Sequence, residues 1–182
     1  MKFRDTTEND IPSIAAIYSE SVANGVASYE LNAPDETEMA RRRDAIIQDG
    51  YPYFVAEEDG EILGYGYASA FRTRPAYRWL CEDSIYLAPS ARGRGIGFAL
   101  LTELVSRCER LGFRQMVAVI GGGHPSSVRL HLKAGFSEAG VLKGTGFKHG
   151  HWLDTVLMQK QLGAGTGSDP DPGTYPGTLF RG

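Results

Sequence analysis

Residues 84–97 read SIYLAPSARGRGIG: a buried strand, a break marked by Pro89, a turn carrying two arginines, and glycines where a helix begins. Such a turn gathers several backbone N–H groups and a helix N-terminus at one point, with Arg92 and Arg94 beside them. That is an anion site. Phosphate suits it, because guanidinium groups add bidentate, charge-assisted bonds to backbone donors.

Downstream of this turn, Leu100, Leu101, Leu104, Val105, Cys108 and Leu111 form a helical stripe that Gly112 stops. Residues 115–120, QMVAVI, make a buried strand, and the break GGGHP leads into a second helix that ends at Gly135. Two strand–loop–helix units therefore stand side by side. Strands over 141–146 and 152–159 follow, around the turn Lys148-His149-Gly150. Upstream, the strand over 81–88 contains Glu82, a carboxylate that needs a partner or a purpose in sheet-like sequence. Before it, the loop FRTRPAYRWL sets Arg72, Arg74 and Arg78 among Phe71, Tyr77 and Trp79. This loop reads either as a holder for an anionic, partly apolar small molecule or as a basic surface loop packed by its aromatics.

Strands over 53–57 and 61–70 join at the hairpin dipeptide Asp59-Gly60. Gly64 and Gly66 lie on one side of the second strand, where glycine weakens a sheet unless something approaches its backbone closely. A helix over 35–48 carries Arg41, Arg42 and Arg43, read as a solvated face. The chain begins with a strand over 2–5 and a helix capped by Thr7, with Ile11, Ile14, Ala15, Ile17 and Tyr18 at helical spacing. Tyr29 sits in the aperiodic loop between these two helices, either as a packing anchor or as a ligand contact.

The 182 residues suit one domain over 1–162, followed by a Gly/Pro-rich stretch over 163–182 that reads as a disordered tail. A net charge of -3 with 23% charged residues argues against a general nucleic-acid surface. The polar start and the lack of a long apolar run give the expectation of a cytoplasmic protein with no membrane partner. Cys81 and Cys108, outside any Cys-x-x-Cys pattern, read as buried reduced thiols. His149 and His151 lack acidic or cysteine partners at ligand spacing, so no metal is expected.

The glycines do not make a dinucleotide fingerprint, since Phe98 occupies the last glycine position and the motif lies in mid-chain; no GxxxxGK[ST] is present either. The run Arg92-Gly93-Arg94-Gly95-Ile96-Gly97, between a strand and a helix, resembles the acetyl-CoA pyrophosphate loop of the GNAT superfamily of N-acetyltransferases. The later unit is similar to that superfamily's Asn-x-x-Ala-x-x-x-Tyr-x-x-x-Gly-Phe pattern, here His124, Ser127, His131, Gly135 and Phe136. AYRW, EDSIYL, RGRGIG, VAVI, SVRLH and FKHGHWLD bring the chain nearest to the phosphinothricin and methionine sulfoximine acetyltransferase branch, which it resembles over residues 3–162. The resemblance implies an α/β (α+β) domain with a mixed, mostly antiparallel twisted sheet of about seven strands, splayed at its centre and flanked by about four helices.

It also implies direct transfer of acetyl from acetyl-CoA to the amino group of a small amino-acid-like acceptor. Arg92, Gly93, Arg94, Gly95, Ile96 and Gly97 would hold the pyrophosphate, mainly by backbone. Ile85, Tyr86 and Leu87 would line the pantetheine arm like an added strand, with His124 and Ser127 as further contacts; His124 stands where asparagine is more usual. Glu82 matches the general base, the alternative being a structural ion pair with a loop arginine. His131 matches the group that protonates the departing thiolate. Tyr29, Arg72, Arg74, Tyr77 and Arg78 would face the acceptor, and a homodimer is expected from the same branch. Another amine acceptor (polyamine, aminoglycoside or protein N-terminus), or a non-catalytic acetyl-CoA sensor, is the competing expectation.

Overall fold

The computed structural model describes residues 1–175. β1 (Lys2–Asp5) leads through a 3-10 turn (Glu8–Asp10) into α1 (Ile11–Asn24), and α2 (Glu36–Gln48) follows. β2 (Tyr53–Glu58) and β3 (Glu61–Ala70) form a hairpin; β4 (Leu80–Leu87) precedes α3 (Ile96–Arg110), and β5 (Gln115–Gly121) precedes α4 (Pro125–Lys133). β6 (Ser137–Lys148) and β7 (His151–Gln161) make the last hairpin. The strands form one seven-stranded sheet in the order β1-β2-β3-β4-β5-β7-β6. Every neighbouring pair is antiparallel except β4–β5. This is the mixed sheet expected.

Strand alternation sorts the core into two layers. On one face Tyr53, Val55 and Tyr65, with Tyr67 and Tyr86 beside them, pack under the apolar stripe of α1 and under Met39 of α2. On the other face Leu100, Leu101 and Leu104 of α3 are fully buried in a cluster with Phe54, Cys81 and Met116. Each such leucine contributes roughly 1.5–3 kcal/mol. The close approach that Gly64 and Gly66 called for comes from β4: a Cβ at Gly64 would meet the Tyr86 carbonyl oxygen at 2.6 Å, and one at Gly66 would meet Ile85 Cδ1 at 2.8 Å. β3 therefore seats tightly on the stretch of β4 that the site uses.

Two local readings change. Asp35 caps α2 by accepting from the Glu38 N–H at 2.8 Å, and Arg41 and Arg42 pair with Glu38, but Arg43 is not solvated. Its guanidinium donates to the Thr6 carbonyl at 2.7 Å and to Thr6 Oγ1 at 2.8 Å, tying α2 to the chain after β1. The described part of the expected disordered tail is docked. Arg114 donates to the carbonyls of Gly165 and Asp169, each at 3.2 Å, and Tyr175 is 5% exposed beside Tyr51, Trp79 and Phe113. One aromatic and one arginine overcome a composition that otherwise favours disorder. Residues 176–182 of that expected tail lie outside the described residues.

Candidate active site

β4 pairs with β3 continuously from Cys81 to Leu87, yet it pairs with β5 only at Leu80, Cys81 and Glu82. β5 stays with β7 along its whole length. Beyond Glu82 the two parallel strands therefore diverge into a wedge. Along its β4 wall Ile85, Tyr86 and Leu87 have no ladder partner on the β5 side. Pro89 begins a 3-10 turn (Pro89–Ala91) that carries the chain out of the sheet, as the sequence predicts.

At the mouth of the wedge Gly93 and Gly95 have φ of +75° and +81°, in the left-handed region, and a Cβ at either would meet nothing within 4 Å. α3 starts immediately after, with no side-chain cap on its first amides. A Cβ at Gly97 would meet Leu87 Cδ1 at 3.2 Å and Leu130 Cδ1 at 3.3 Å, so α3, β4 and α4 converge here. Open glycines, uncapped amides and an unpaired strand wall fit a ligand with a pyrophosphate and an amide-bearing arm. Arg92 is ion-paired to Glu20, and Arg94 to Glu58 at 2.5 Å. Both pairs face solvent, where screening makes them weak enough to exchange for a polyanion.

The alternation of β4 puts Glu82, Ser84 and Tyr86 on the α1–α2 face, and Asp83, Ile85 and Leu87 on the α3–α4 face. Glu82 is half-buried, and among the described residues no hydrogen bond or ion pair engages its side chain. The structural ion pair with a loop arginine is thus not formed. Burial first, and then the charge of Asp83, push its carboxyl up to about 7.

His131 projects from α4 to the other face and is 4% exposed. Its Nε2 lies 3.0 Å from Asp83 Oδ2, and its Nδ1 lies 2.8 Å from the Ser127 carbonyl oxygen. A carbonyl only accepts, so Nδ1 carries hydrogen, and an ionised Asp83 requires hydrogen on Nε2 as well. Burial favours the neutral ring, but the Asp83 carboxylate and the Ser127 carbonyl outweigh it, and the imidazolium is held above its ordinary range. Asp83 escaped the sequence reading. Its only signal there is the adjacent pair Glu82-Asp83, two carboxylates that a strand must send to opposite faces. Among the described residues Asp83 Oδ1 is buried without a partner.

Among the described residues no hydrogen bond or ring contact joins Tyr29 to the loop residues expected with it at the acceptor side. Tyr29 accepts from the Gly122 N–H at 3.2 Å, meets Thr155 Oγ1 at 2.8 Å and donates to the Asp154 carbonyl at 3.1 Å. It thus anchors the α1–α2 loop over the ends of β5 and β7. Arg72 lies over the Phe71 ring and Arg78 over the Trp79 ring, at 5.2 and 5.4 Å. Arg74 precedes and Tyr77 ends the exposed turn Pro75–Tyr77, and Tyr77 meets Phe71 edge-on. None of the three arginines has a carboxylate partner among the described residues. Lys148, read as a turn residue, is instead buried and donates to the Ser28 carbonyl at 2.8 Å; burial lowers its pKa. At the head of α4, His124 is exposed and bonded through Nδ1 to Ser126 Oγ at 2.8 Å, while Ser127 is half-buried one turn before His131. His149 and His151 bond backbone carbonyls.

Sheet order and the opened β4–β5 pair define the class, an acetyltransferase-type α/β domain. The acetyltransferase (GNAT) family model matches residues 15–136, and the chain belongs to that family. It is 48% identical over 169 residues to a phosphinothricin N-acetyltransferase of Alcaligenes faecalis, covering 92% of this chain and 86% of the relative. It is 36% identical over 160 residues to an L-methionine sulfoximine/L-methionine sulfone acetyltransferase of Pseudomonas aeruginosa, covering 87% and 93%. Its fold matches a phosphinothricin acetyltransferase from Sinorhizobium meliloti, solved in complex with AcCoA, with a TM-score of 0.97 and 59% identity over 100% of this chain and 98% of that one.

Proposed function

We propose that this chain transfers the acetyl group of acetyl-CoA to the amino group of a small amino-acid-like acceptor of the phosphinothricin or methionine sulfoximine type, by direct attack in a ternary complex. The observation that carries this is the wedge beyond Glu82, with a carboxyl group that has no partner among the described residues on one face of β4 and, on the other, a buried histidine held by Asp83. Similarity along nearly the whole chain to enzymes named for those two acceptors supports the acceptor class.

In this reading the backbone of Gly93, Gly95, Ile96 and Gly97 holds the pyrophosphate, with Arg92 and Arg94 released from their surface pairs to assist. Ile85, Tyr86 and Leu87 hold the amide arm, with His124 and Ser127 at the opposite wall. Glu82 takes a proton from the acceptor's ammonium, directly or through water; the amine forms the C–N bond as the C–S bond breaks, the nitrogen sheds its remaining extra proton to solvent, and His131 supplies the proton that the thiolate gains. A base poised near neutrality suits an ammonium that is mostly protonated there. Arg72, Arg74 and Arg78, without a carboxylate partner among the described residues, are available for the acceptor's own acid group, with Tyr77 in the same loop and Tyr29 as a further contact from the α1–α2 loop.

The acting unit in this proposal is a homodimer in the cytoplasm, where acetyl-CoA is available. Edge strand β6 and its neighbour β7 carry Leu142, Phe147 and Trp152 exposed at 49%, 56% and 70%, an apolar stripe that a second copy would cover. The test is acetylation of phosphinothricin, methionine sulfoximine, common amino acids, a polyamine and an aminoglycoside, followed by mass detection. Acetyl gain on the amino acids or their analogues is expected. Gain on the polyamine or aminoglycoside alone would overturn the acceptor class.

A further inference from the structure

His131 supplies the last proton in the reading above, on which this inference rests, yet the ring is buried and both its nitrogens are committed. Nε2 is held by Asp83 at 3.0 Å, deep between α4 and β4, and Nδ1 points at the Ser127 carbonyl at 2.8 Å. Neither hydrogen is free to meet a sulfur atom in the wedge. The same Nδ1 lies 3.5 Å from Ser127 Oγ. This contact is long at rest, but catalytic hydrogen bonds tighten when substrate binds. Ser127 is half-buried where His131 is buried, and among the described residues its hydroxyl is the one side-chain group besides Asp83 within reach of the ring nitrogens. Asp83, His131 and Ser127 thus stand in a row from the sheet to the first turns of α4.

We propose that the Ser127 hydroxyl relays the proton: Oγ gives its hydrogen to the thiolate sulfur of the departing coenzyme A while it takes the Nδ1 hydrogen of His131. The S–H bond forms, the Nδ1–H bond breaks, and the serine ends with the hydrogen count it began with. His131 ends neutral, with Nε2–H still donated to the Asp83 carboxylate. It regains its second proton from solvent through the same hydroxyl. Asp83 acts only through the ring, as a positioning residue that keeps both nitrogens protonated before transfer. Ser127 therefore does more than touch the cofactor arm.

A double-mutant cycle on phosphinothricin acetylation tests the relay, with each variant's thermal unfolding checked against the wild type. Ser127→Ala is expected to lower kcat about 100-fold while changing KM for acetyl-CoA less than about twofold. Ser127→Thr, which restores a hydroxyl, should recover most of the rate. In a His131→Asn background, Ser127→Ala should add almost nothing, because both variants break one path. A rise in KM at unchanged kcat would reduce Ser127 to an arm contact, and multiplying losses would separate it from His131; either result overturns the relay but leaves His131 as donor. Unchanged kcat in His131→Asn alone would remove the donor assignment and the relay together.

Discussion

Glu82 and Asp83 are consecutive on β4 and meet opposite surroundings. Glu82 faces the tyrosine-rich side under α1 and α2, without a partner among the described residues, and burial followed by its neighbour's charge raises it to about 7. Asp83 faces α4 and lies 3.0 Å from the His131 ring. The difference separates two jobs that the same functional group performs. A base must be left without a partner so that a proton is worth taking, whereas a positioning carboxylate must be engaged so that it holds another group in place.

The largest expected effect breaks the unpartnered side. Glu82→Gln should lower kcat about 100- to 1,000-fold at neutral pH and abolish the acid limb of the rate profile near 7. The same change should stabilise the fold. A carboxyl raised from 4.5 to about 7 holds its proton more tightly in the folded state, so stability falls as pH rises through that window. At pH 8 the variant should gain up to about 3 kcal/mol over wild type, and far less at pH 5, by urea unfolding. A stability loss at both pH values would mean that Glu82 has a structural partner after all.

How far each side was visible from sequence follows from what each demands of the chain. The glycine turn was visible because left-handed residues before a helix admit few side chains, and Pro89 marks where β4 leaves the sheet. Glu82 stood out as an acid in a strand. Asp83 did not, because its role depends on α4 packing against β4, a contact that no local spacing encodes. Arg43, Lys148 and Tyr175 depart from the character of their segments for a related reason: composition describes the average of a segment, and each of these side chains finds a buried partner.

The next effect is on the engaged side. Asp83→Asn removes one member of a buried charged pair, a loss of about 3 kcal/mol at pH 6, where the imidazolium is charged. The His131 contribution is fully present below about 6.5 and is lost as pH rises through its raised folded value, so the deficit should shrink by pH 9. Losing the Asp83 charge also removes one of the two causes that raise Glu82. The acid limb of the rate profile should therefore move to lower pH even as kcat drops about tenfold. An acid limb that stays in place would show that burial alone sets the base.

The smallest effect tests whether the two sides can be disturbed separately from a distance. Tyr175 packs edge-on against Trp79, with ring centroids 5.8 Å apart, and the Trp79 carbonyl accepts from the N–H groups of Arg114 and Gln115 at 2.9 and 3.2 Å. Arg114 in turn grips the chain after β7. The C-terminal stretch therefore braces the end of the arginine loop, three residues before Glu82, and contacts neither the glycine turn nor α4 through any of these bonds. Tyr175→Ala should lower stability by about 2 kcal/mol, at the low end for a buried aromatic because Tyr175 belongs to no helix or strand and its neighbours can close on the space. It should raise KM for the acceptor about threefold and leave KM for acetyl-CoA unchanged. Equal rises in both constants would show that the brace supports the whole wedge, and that the two faces of β4 are mechanically one site.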